Sequence, residues 1–246
     1  ESLMSIEQAE TGNLHALLSQ VGAALDQFLK FEHPDALHSD VNWRTALDTP
    51  LPRQGVGIEH VAHELISQVI PHGSPVPRPG FSSYITTGAT SAAILASTAA
   101  SIASPQRYMH TAFNFLEELS LQWLAEMCGL ESMQGIYSSG GSVANLIALG
   151  GARQSAFESI GHDPAADGIN RPVRIYASEQ SHHTIARSGG VLGIGRNAIK
   201  PIACDDEGRM RIDDLQRALT EDKASGILPM AIVGNAGTTN TGAIDP

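Results

Sequence analysis

The sequence predicts an α/β protein in which helices cover a mostly parallel sheet and a helical segment comes first. Two observations support this prediction. From residue 135 onward, short apolar segments alternate with segments of helical periodicity, whereas the first seventy residues show helical periodicity alone. The chain has 246 residues, of which 42% are hydrophobic, so it is long enough and apolar enough to bury a core.

Residues 1–75 are predicted to form a helical arm. Apolar residues recur at helical spacing over residues 11–30 and again over residues 58–70. A proline follows the first predicted helix (Pro34) and ends the second (Pro71). Arms with exposed apolar faces usually dock on another surface, so we expect this arm to contribute to dimerisation.

Residues 76–246 are predicted to form a second, larger domain, which begins with a linker and two helices. The prolines at 75, 77 and 79 predict an extended linker. An alanine-rich helix is predicted from about Thr90 to Ser101, and an amphipathic helix from Phe115 to Cys128.

After residue 135, four strands and three helices are predicted to alternate. The predicted strands are Gly135–Ser138, Val173–Ser178, Ala198–Ala203 and Met230–Asn235. The predicted helices are Ser142–Ser159, His183–Leu192 and Ile212–Glu221. This β-α-β order argues for parallel strands joined by right-handed crossovers.

A glycine turn, SSGGSVAN over residues 138–145, joins the first predicted strand to its helix. Gly140 and Gly141 allow positive φ and a close backbone approach, and Ser142 is predicted to be the helix N-cap. The unpaired N–H groups and the positive dipole end of such a helix suit a phosphate. A tight turn that binds nothing is the alternative, because glycine–serine turns are common.

Charge and composition argue against several kinds of partner and location. The net charge is −11 and no basic stripe is present, which argues against nucleic-acid binding. Cys128 and Cys204 have no CxxC partner, which indicates a reducing compartment, and no metal site is assigned. The N-terminus lacks an apolar signal segment, and the most apolar run (92–103) is too short to span a bilayer. We therefore expect a cytoplasmic protein without a membrane partner.

Four segments together resemble a known family. They are SSGGSVAN (138–145), SEQSHHTI (178–185), DDEGRM (205–210) and GNAGTTNTGAIDP (234–246). Their order and spacing resemble the first part of the large domain of the group II pyridoxal-phosphate-dependent decarboxylases, which include glutamate, aromatic amino acid and diaminobutyrate decarboxylases. The resemblance begins near Pro79. It implies fold type I (aspartate-aminotransferase-like), incomplete in this chain, with pyridoxal 5′-phosphate (PLP) as the cofactor and a homodimer that shares sites at its interface.

The resemblance assigns the phosphate and the ring face of the cofactor to three residues. Gly141 and Ser142 match the positions that hold the phosphate, which agrees with the physical reading of the glycine turn. His182 matches the histidine that stacks on the pyridine ring and is proposed to handle protons, so it is the candidate catalytic residue. The alternative for His182 is a cap of the following helix. His183 stands where the family motif is variable.

Three further residues near the end of the chain are assigned to the cofactor side. Asn235 stands where the family more often has threonine, and either side chain can form hydrogen bonds. Thr238 follows in a turn at the carboxyl edge of the sheet, where open α/β sheets bind ligands. Asp245 matches a family aspartate near the site, although a carboxylate that stabilises the turn before Pro246 is an equal alternative.

On the substrate side, Tyr84, Ile85 and Thr86 match a loop that approaches the substrate. Aromatic-specific members of the family tend to carry phenylalanine where this chain has Ile85. We therefore expect Ile85, with Thr86 and Thr87, to favour a small or acidic amino acid.

The resemblance also implies a lysine that forms a Schiff base with the cofactor and an aspartate on the ring nitrogen. Both belong to motifs that normally lie beyond residue 246, and Lys30, Lys200 and Lys223 are outside those motifs. The chain is therefore expected to supply the phosphate-binding and ring-stacking part of a PLP-dependent carboxy-lyase. The remainder would lie in another chain or in a longer polypeptide; a truncated product is the third alternative.

Two other functions remain open on the sequence. One is a different PLP-dependent lyase of the same fold, such as a sphingosine-phosphate-lyase-like enzyme, which a membrane anchor would favour. The other is a non-catalytic binding or assembly module, which replacement of the family's His-Lys pair would favour. Fold alone does not decide among them.

Overall fold

The computed structural model describes residues 14–30, 42–83, 88–103 and 106–246. The chain divides into two units, Glu1–Pro105 and Gln106–Pro246. The predicted arm therefore lies within the first unit, together with the residues that follow it up to Pro105.

The described part of the first unit is helical. Its helices are α1 (Leu14–Phe28), α2 (Trp43–Leu47), α3 (Ile58–Glu64) and α4 (Ser91–Ala103). α3 continues as a π-helical turn, Leu65–Val69, in which the N–H of Ile70 donates to the carbonyl of Leu65 over 2.9 Å. The three helices predicted from periodicity are confirmed, and α2 lies in a stretch for which no helix was predicted.

The predicted extended linker after residue 75 is wrong, because the chain turns there. The N–H of Arg78 donates to the carbonyl of Pro75 over 2.9 Å, and the N–H of Phe81 donates to the carbonyl of Arg78 over 3.3 Å. Arg78 lies between two prolines. Unlike a proline, it has a backbone N–H that can donate the hydrogen bond that closes the turn. Its guanidinium lies 4.4 Å from the ring centroid of Phe28.

The second unit contains a sheet and the helices around it. In chain order its elements are α5 (Ala112–Met127), α6 (Gly141–Glu158), α7 (Pro164–Asp167), β1 (Val173–Ser178), α8 (Thr184–Val191), β2 (Ile199–Ile202), α9 (Ile212–Ala224) and β3 (Leu228–Val233). The strands are parallel in the order β2-β1-β3, with Ile175 opposite Ile199 and Val173 opposite Leu228. The predicted parallel α/β sheet is confirmed.

Both faces of β1 are buried, which explains its almost continuous apolar sequence. On one face Val173, Ile175 and Ala177 pack with residues of α6 and α8, among them Leu149 and Ile185. On the other face Tyr176 belongs to a cluster with Ile202, Met210, Leu215 and Ala218. The sheet is thus the middle layer of the unit.

The predicted strand Gly135–Ser138 is wrong, because no strand pairs with it among the described residues. The segment contacts α5 instead. The hydroxyl of Tyr137 donates to Ser120 Oγ over 2.9 Å. A Cβ added to Gly135 would lie 2.8 Å from Leu121 Cδ2, so the glycine permits this close approach.

Among the residues that the structure describes, we find no helix that combines the length and the apolar character needed to cross a membrane.

Candidate active site

Predicted site residues of the second unit meet at the carboxyl edge of the sheet, where parallel strands end together. β1 ends at Ser178 and leads through Ser181 to His182. β3 ends at Val233, two residues before Asn235. The amide nitrogen of Asn235 lies 3.1 Å from Ser181 Oγ, so the segments after β1 and β3 are in direct contact.

The N-terminus of α6 presents free backbone donors. The helix begins at Gly141 and its N-cap is Gly140, with φ 157° and ψ 171°, so the prediction of Ser142 as the N-cap is wrong. This backbone conformation favours glycine. The carbonyl of Gly140 accepts from the N–H groups of Val143 and Ala144, each over 3.0 Å. The N–H groups of Gly141 and Ser142 therefore remain at the open end of the helix.

This helix end fits a phosphate group. A Cβ added to Gly140 or Gly141 would meet no atom within 4 Å, so the space beside the backbone is open. The first turn of α6 carries no acidic side chain that would repel an anion. The 18 residues of the helix provide a full dipole with its positive end here.

A hydrogen-bonded chain connects α6 to His182. The Nδ2 group of Asn145 donates to Thr184 Oγ1 over 2.8 Å, and Thr184 Oγ1 lies 2.8 Å from His182 Nδ1. Asn145 is four residues after Gly141 and thus on the same side of the helix, one turn further on. The chain therefore holds the ring of His182 close to the proposed phosphate-binding end of α6.

His182 also contributes to the start of α8, which was its alternative role. The N–H of Thr184, the first residue of α8, donates to His182 Nδ1 over 3.4 Å. The N-cap residue itself, His183, forms no capping bond with its side chain. His182 is nevertheless an exposed residue, so the capping contact does not bury it.

His183 lies against His182, with 4.1 Å between the ring centroids and an angle of 38° between the planes. Loss of water around the ring lowers the pKa of His183, and the neighbouring His182 and Arg187 lower it further. The ordinary pKa of a histidine is 6.5, and this lowering favours the neutral form of His183.

Asn235 is held by three acceptors. Its Nδ2 group lies 2.8 Å from Asp245 Oδ2, 3.1 Å from Ser178 Oγ and 3.1 Å from Ser181 Oγ. A carboxylate can only accept, so the amide nitrogen must face Asp245. The carbonyl oxygen of the amide is then the group left to accept a bond from a ligand, since no donor to it is found in the described part of the chain.

Asp245 organises the loop after β3. Its carboxylate accepts from the N–H of Asn235 over 2.8 Å and from the N–H of Met210 over 2.7 Å. In return, the N–H of Asp245 donates to the carbonyl of Asn235 over 2.9 Å. Asp245 thus stabilises this turn, which was the alternative role predicted for it. Its carboxylate lies directly beside Asn235.

Thr238 is 2% exposed and closes the same loop. Its Oγ1 accepts from the N–H of Ala243 over 3.1 Å and lies 2.8 Å from Thr241 Oγ1. The preceding Gly237 has φ 113°, which favours glycine. The hydroxyl of Thr238 is therefore already engaged within the protein.

The substrate-side residues Tyr84, Ile85 and Thr86 lie outside the described residues. Of the lysines, Lys200 is in β2 opposite Tyr176, and Lys223 is in the last turn of α9. The helix predicted over Ile212–Glu221 is longer in the structure, because α9 continues to Ala224 and so includes Lys223.

Sequence reasoning assigned no role to four residues that position the site, namely Asn145, Ser178, Ser181 and Thr184. All four lie within the segments that carry the resemblance. Polar residues directly after a buried strand are the signal that marks Ser178 and Ser181. The contact of Asn145 with Thr184 spans 39 residues and has no local signal.

Comparison with known proteins gives a consistent result. The pyridoxal-dependent decarboxylase conserved domain matches residues 42–246. The aromatic-L-amino-acid decarboxylase of Bacillus atrophaeus is 36% identical over 131 residues, which are 53% of this chain and 25% of that protein. The cysteine sulfinic acid decarboxylase of Mus musculus is 25% identical over 229 residues, which are 91% of this chain and 44% of that protein.

A solved structure shows the same fold. It is the glutamate decarboxylase domain of diaminobutyrate-pyruvate transaminase and L-2,4-diaminobutyrate decarboxylase from Vibrio parahaemolyticus, with a TM-score of 0.83 and 24% identity. The match covers 96% of this chain and 54% of that one. The present chain thus spans about half the length of the structure it matches, and less than half of the two curated relatives.

Proposed function

Because this chain belongs to the family of the pyridoxal-dependent decarboxylase conserved domain, we propose that it forms part of an enzyme that releases the α-carboxylate of an L-amino acid as CO₂. When bound, PLP supplies the electron sink for this reaction. The observation that supports the proposal most directly is the hydrogen-bonded chain from α6 to His182, which links the helix that carries the open end to an exposed histidine.

In this proposal, α6 binds the cofactor phosphate. The N–H groups of Gly141 and Ser142 donate to it, and the positive end of the helix dipole stabilises its charge. His182 would contact the cofactor ring, as the resemblance implies, and would limit how the cofactor can tilt. As the candidate catalytic residue, His182 also holds a proton that the reaction can use.

The loop after β3 completes the cofactor side of the proposed site. Asn235 offers its amide oxygen, because its Nδ2 group is held by Asp245 and two serines. Asp245 acts by fixing that amide, and Thr238 by keeping the loop closed from inside. Asp245 and Thr238 therefore position the loop of the proposed site through contacts within the protein.

The decisive experiment compares two glycines of α6 in the full-length protein. A Cβ added to Gly141 or to Gly151 meets no protein atom within 4 Å, so Gly141→Val and Gly151→Val place the same β-branched side chain in the same helix. Only the first fills the space assigned to the phosphate. We expect Gly141→Val to weaken PLP binding by at least about tenfold relative to Gly151→Val.

PLP binding is measured from the violet absorbance of the bound cofactor during a PLP titration. Borohydride is then added to test whether the cofactor becomes covalently fixed to the protein. Thermal unfolding of both variants without PLP controls for general damage. Equal PLP affinity in the two variants would show that α6 does not hold the phosphate. A wild-type protein that binds no PLP would contradict the proposed function itself.

We further propose that the substrate is a small or acidic amino acid. The support is Ile85, which stands where aromatic-specific members tend to carry phenylalanine, and the adjacent Thr86 and Thr87. The purified full-length enzyme should therefore release CO₂ from glutamate, aspartate or diaminobutyrate faster than from tyrosine or dihydroxyphenylalanine. Faster turnover of either aromatic substrate would reject this assignment.

We propose that the enzyme is a homodimer to which the arm contributes. Val61, Leu65 and Val69 follow each other at four-residue intervals and are 47%, 37% and 45% exposed, so they form a partly exposed apolar stripe. A second copy of the chain is the occupant expected from the resemblance.

We also propose a cytoplasmic location. Cys128 and Cys204 are free thiols, as expected for a protein kept in a reducing compartment. Fractionation of source cells would test it, and recovery of the protein from an oxidising compartment would count against it.

A further inference from the structure

We propose that Thr184 and Asn145 set the tautomer of His182, so that Nδ1 is an unprotonated acceptor and the proton resides on Nε2. The catalytic meaning of this inference rests on the proposed function, whereas the tautomer itself depends only on contacts within the chain. Thr184 and Asn145 are thus positioning residues. They act through the ring of His182 and not by contact with a ligand.

The first argument is the backbone. The N–H of Thr184 donates to His182 Nδ1 over 3.4 Å. A backbone N–H cannot become an acceptor, and two donors cannot share one bond. This contact favours a lone pair on Nδ1, which leaves Nε2 to carry the proton of a neutral imidazole.

The second argument is the direction of the side-chain relay. The Nδ2 group of Asn145 donates to Thr184 Oγ1 over 2.8 Å, which occupies an acceptor site of the hydroxyl. The one proton of that hydroxyl is then available for His182 Nδ1, also 2.8 Å away. Thr184 is 3% exposed, so water has little access to reverse the relay.

Together, a backbone donor and a hydroxyl donor converge on the same ring nitrogen. His182 Nε2 has no hydrogen-bond partner in the described part of the chain, and the ring is exposed. His182 therefore presents an N–H donor to whatever approaches its free edge. In the proposed site, Nε2 would therefore act as a hydrogen-bond donor toward a bound group.

The test measures the two ring nitrogens directly. Full-length protein with histidines labelled with heavy nitrogen is studied by solid-state NMR at neutral pH, first without PLP and then with it, and His182→Gln identifies the resonances of His182. We expect an unprotonated, pyridine-type resonance for Nδ1 and a protonated, pyrrole-type resonance for Nε2 in the cofactor-free protein.

Three variants test the relay. Thr184→Val keeps the shape of the side chain but removes the hydroxyl, so the Nδ1 resonance should shift toward a mixture of tautomers. Thr184→Ser restores the hydroxyl and should restore the wild-type resonance. The control is Thr220→Val, because the hydroxyl of Thr220 donates to the carbonyl of Gln216 in its own helix; this variant should leave the resonances of His182 unchanged.

Asn145→Asp provides an independent variant if Thr184→Val fails to fold. A carboxylate at this position would accept the proton of the Thr184 hydroxyl and withdraw it from His182, so the fraction of His182 protonated on Nδ1 should rise. A wild-type resonance in this variant would overturn the relay.

The outcomes separate this inference from the proposed function. A wild-type protein with the proton on Nδ1 overturns the inference, whether or not PLP binds. A wild-type protein that shows the expected tautomer but binds no PLP supports the inference and overturns the proposed function. Identical spectra for Thr184→Val and wild type overturn the role of Thr184.

Discussion

At the scale of single residues, the carboxylate of Asp245 decides how the loop after β3 presents Asn235. It accepts from the N–H and the Nδ2 group of Asn235 and from the N–H of Met210. Bonds to a charged acceptor are stronger than neutral ones, so this one side chain holds both the backbone and the amide of Asn235. The orientation of the amide then follows from chemistry, because its donor end must face the carboxylate.

Replacing Asp245 should therefore loosen Asn235. Asp245→Asn removes the negative charge. The asparagine side chain has one acceptor oxygen, whereas the carboxylate uses both of its oxygens to accept the bonds from Met210 and Asn235. We expect a loss of stability of about 1.5–3 kcal/mol, the usual range for a hydrogen bond to a charged group. We also expect weaker PLP binding. Thermal unfolding and PLP titration of the full-length protein measure the two effects.

Asp205→Asn is the matched control. The carboxylate of Asp205 also accepts backbone N–H groups, from Glu207 and Arg209, but it does not contact Asn235. The control removes the same charge from a neighbouring loop and should leave PLP affinity unchanged. Equal PLP affinities in Asp245→Asn and Asp205→Asn would contradict the role assigned to Asp245.

At the scale of elements, a buried polar cluster ties β1 to α9. The hydroxyl of Tyr176 in β1 donates to Asp222 Oδ2 in α9 over 2.9 Å, and Arg174 Nε lies 3.3 Å from the same oxygen. Tyr176 is fully buried and Asp222 is 7% exposed. Because the central strand and its covering helix share this contact, it fixes their relative position on the face of the sheet opposite α6.

This cluster predicts how stability responds to alkaline pH. Burial raises the pKa of Tyr176 above its ordinary value of 10.0, and the bond to Asp222 raises it further. The folded state therefore keeps the phenol proton more tightly than the unfolded state. The resulting stabilisation is fully present below the unfolded pKa and is lost as the pH rises from that value through the folded pKa.

Tyr176→Phe should remove this alkaline dependence and lower stability at neutral pH by about 1–3 kcal/mol, because Asp222 loses a donor. Urea unfolding of the full-length protein at neutral pH and above the ordinary phenol pKa of about 10 measures both effects. Tyr137→Phe is the control, since Tyr137 is 50% exposed. The same alkaline loss in Tyr176→Phe as in wild type would refute the assignment.

At the scale of the whole molecule, much apolar surface of the described residues is exposed. In the first unit the stripe formed by Val61, Leu65 and Val69 is partly exposed. In the second unit Phe115, Trp123 and other large side chains of α5 are more than half exposed. Contiguous apolar surface of this kind marks contacts with other protein surfaces. The proposed homodimer would cover the stripe on the arm.

The dimer proposal predicts a change of mass in solution. The double substitution Val61→Glu with Val69→Glu introduces charge into the stripe, and we expect it to raise the dimer dissociation constant at least about tenfold, because buried unpaired charge is costly. Light scattering of the full-length protein over a dilution series measures this constant. Gln68→Glu adds charge to the same segment outside the stripe and should leave the dimer intact. Dimerisation unaffected by the double substitution would exclude the stripe from the interface.

Helices and strands that have a clear local sequence pattern could be predicted before the structure was known. β1 was predicted and observed as Val173–Ser178, because a strand buried on both faces requires a continuous apolar run. The start of α9 at Ile212 and the helical character of α6 follow in the same way from periodicity. The motif order was sufficient to identify the family and to single out Gly141, Ser142 and His182 as candidates.

Tertiary structure alone decided what depends on distant neighbours. The segment Gly135–Ser138 has an apolar pattern suited to a strand but lies along α5, because a strand exists only where another strand pairs with it. The relay from Asn145 to Thr184 spans 39 residues, and the hold of Asp245 on Met210 spans 35. These hydrogen bonds depend on how the helices and loops pack against each other. A local sequence pattern carries no information on that packing.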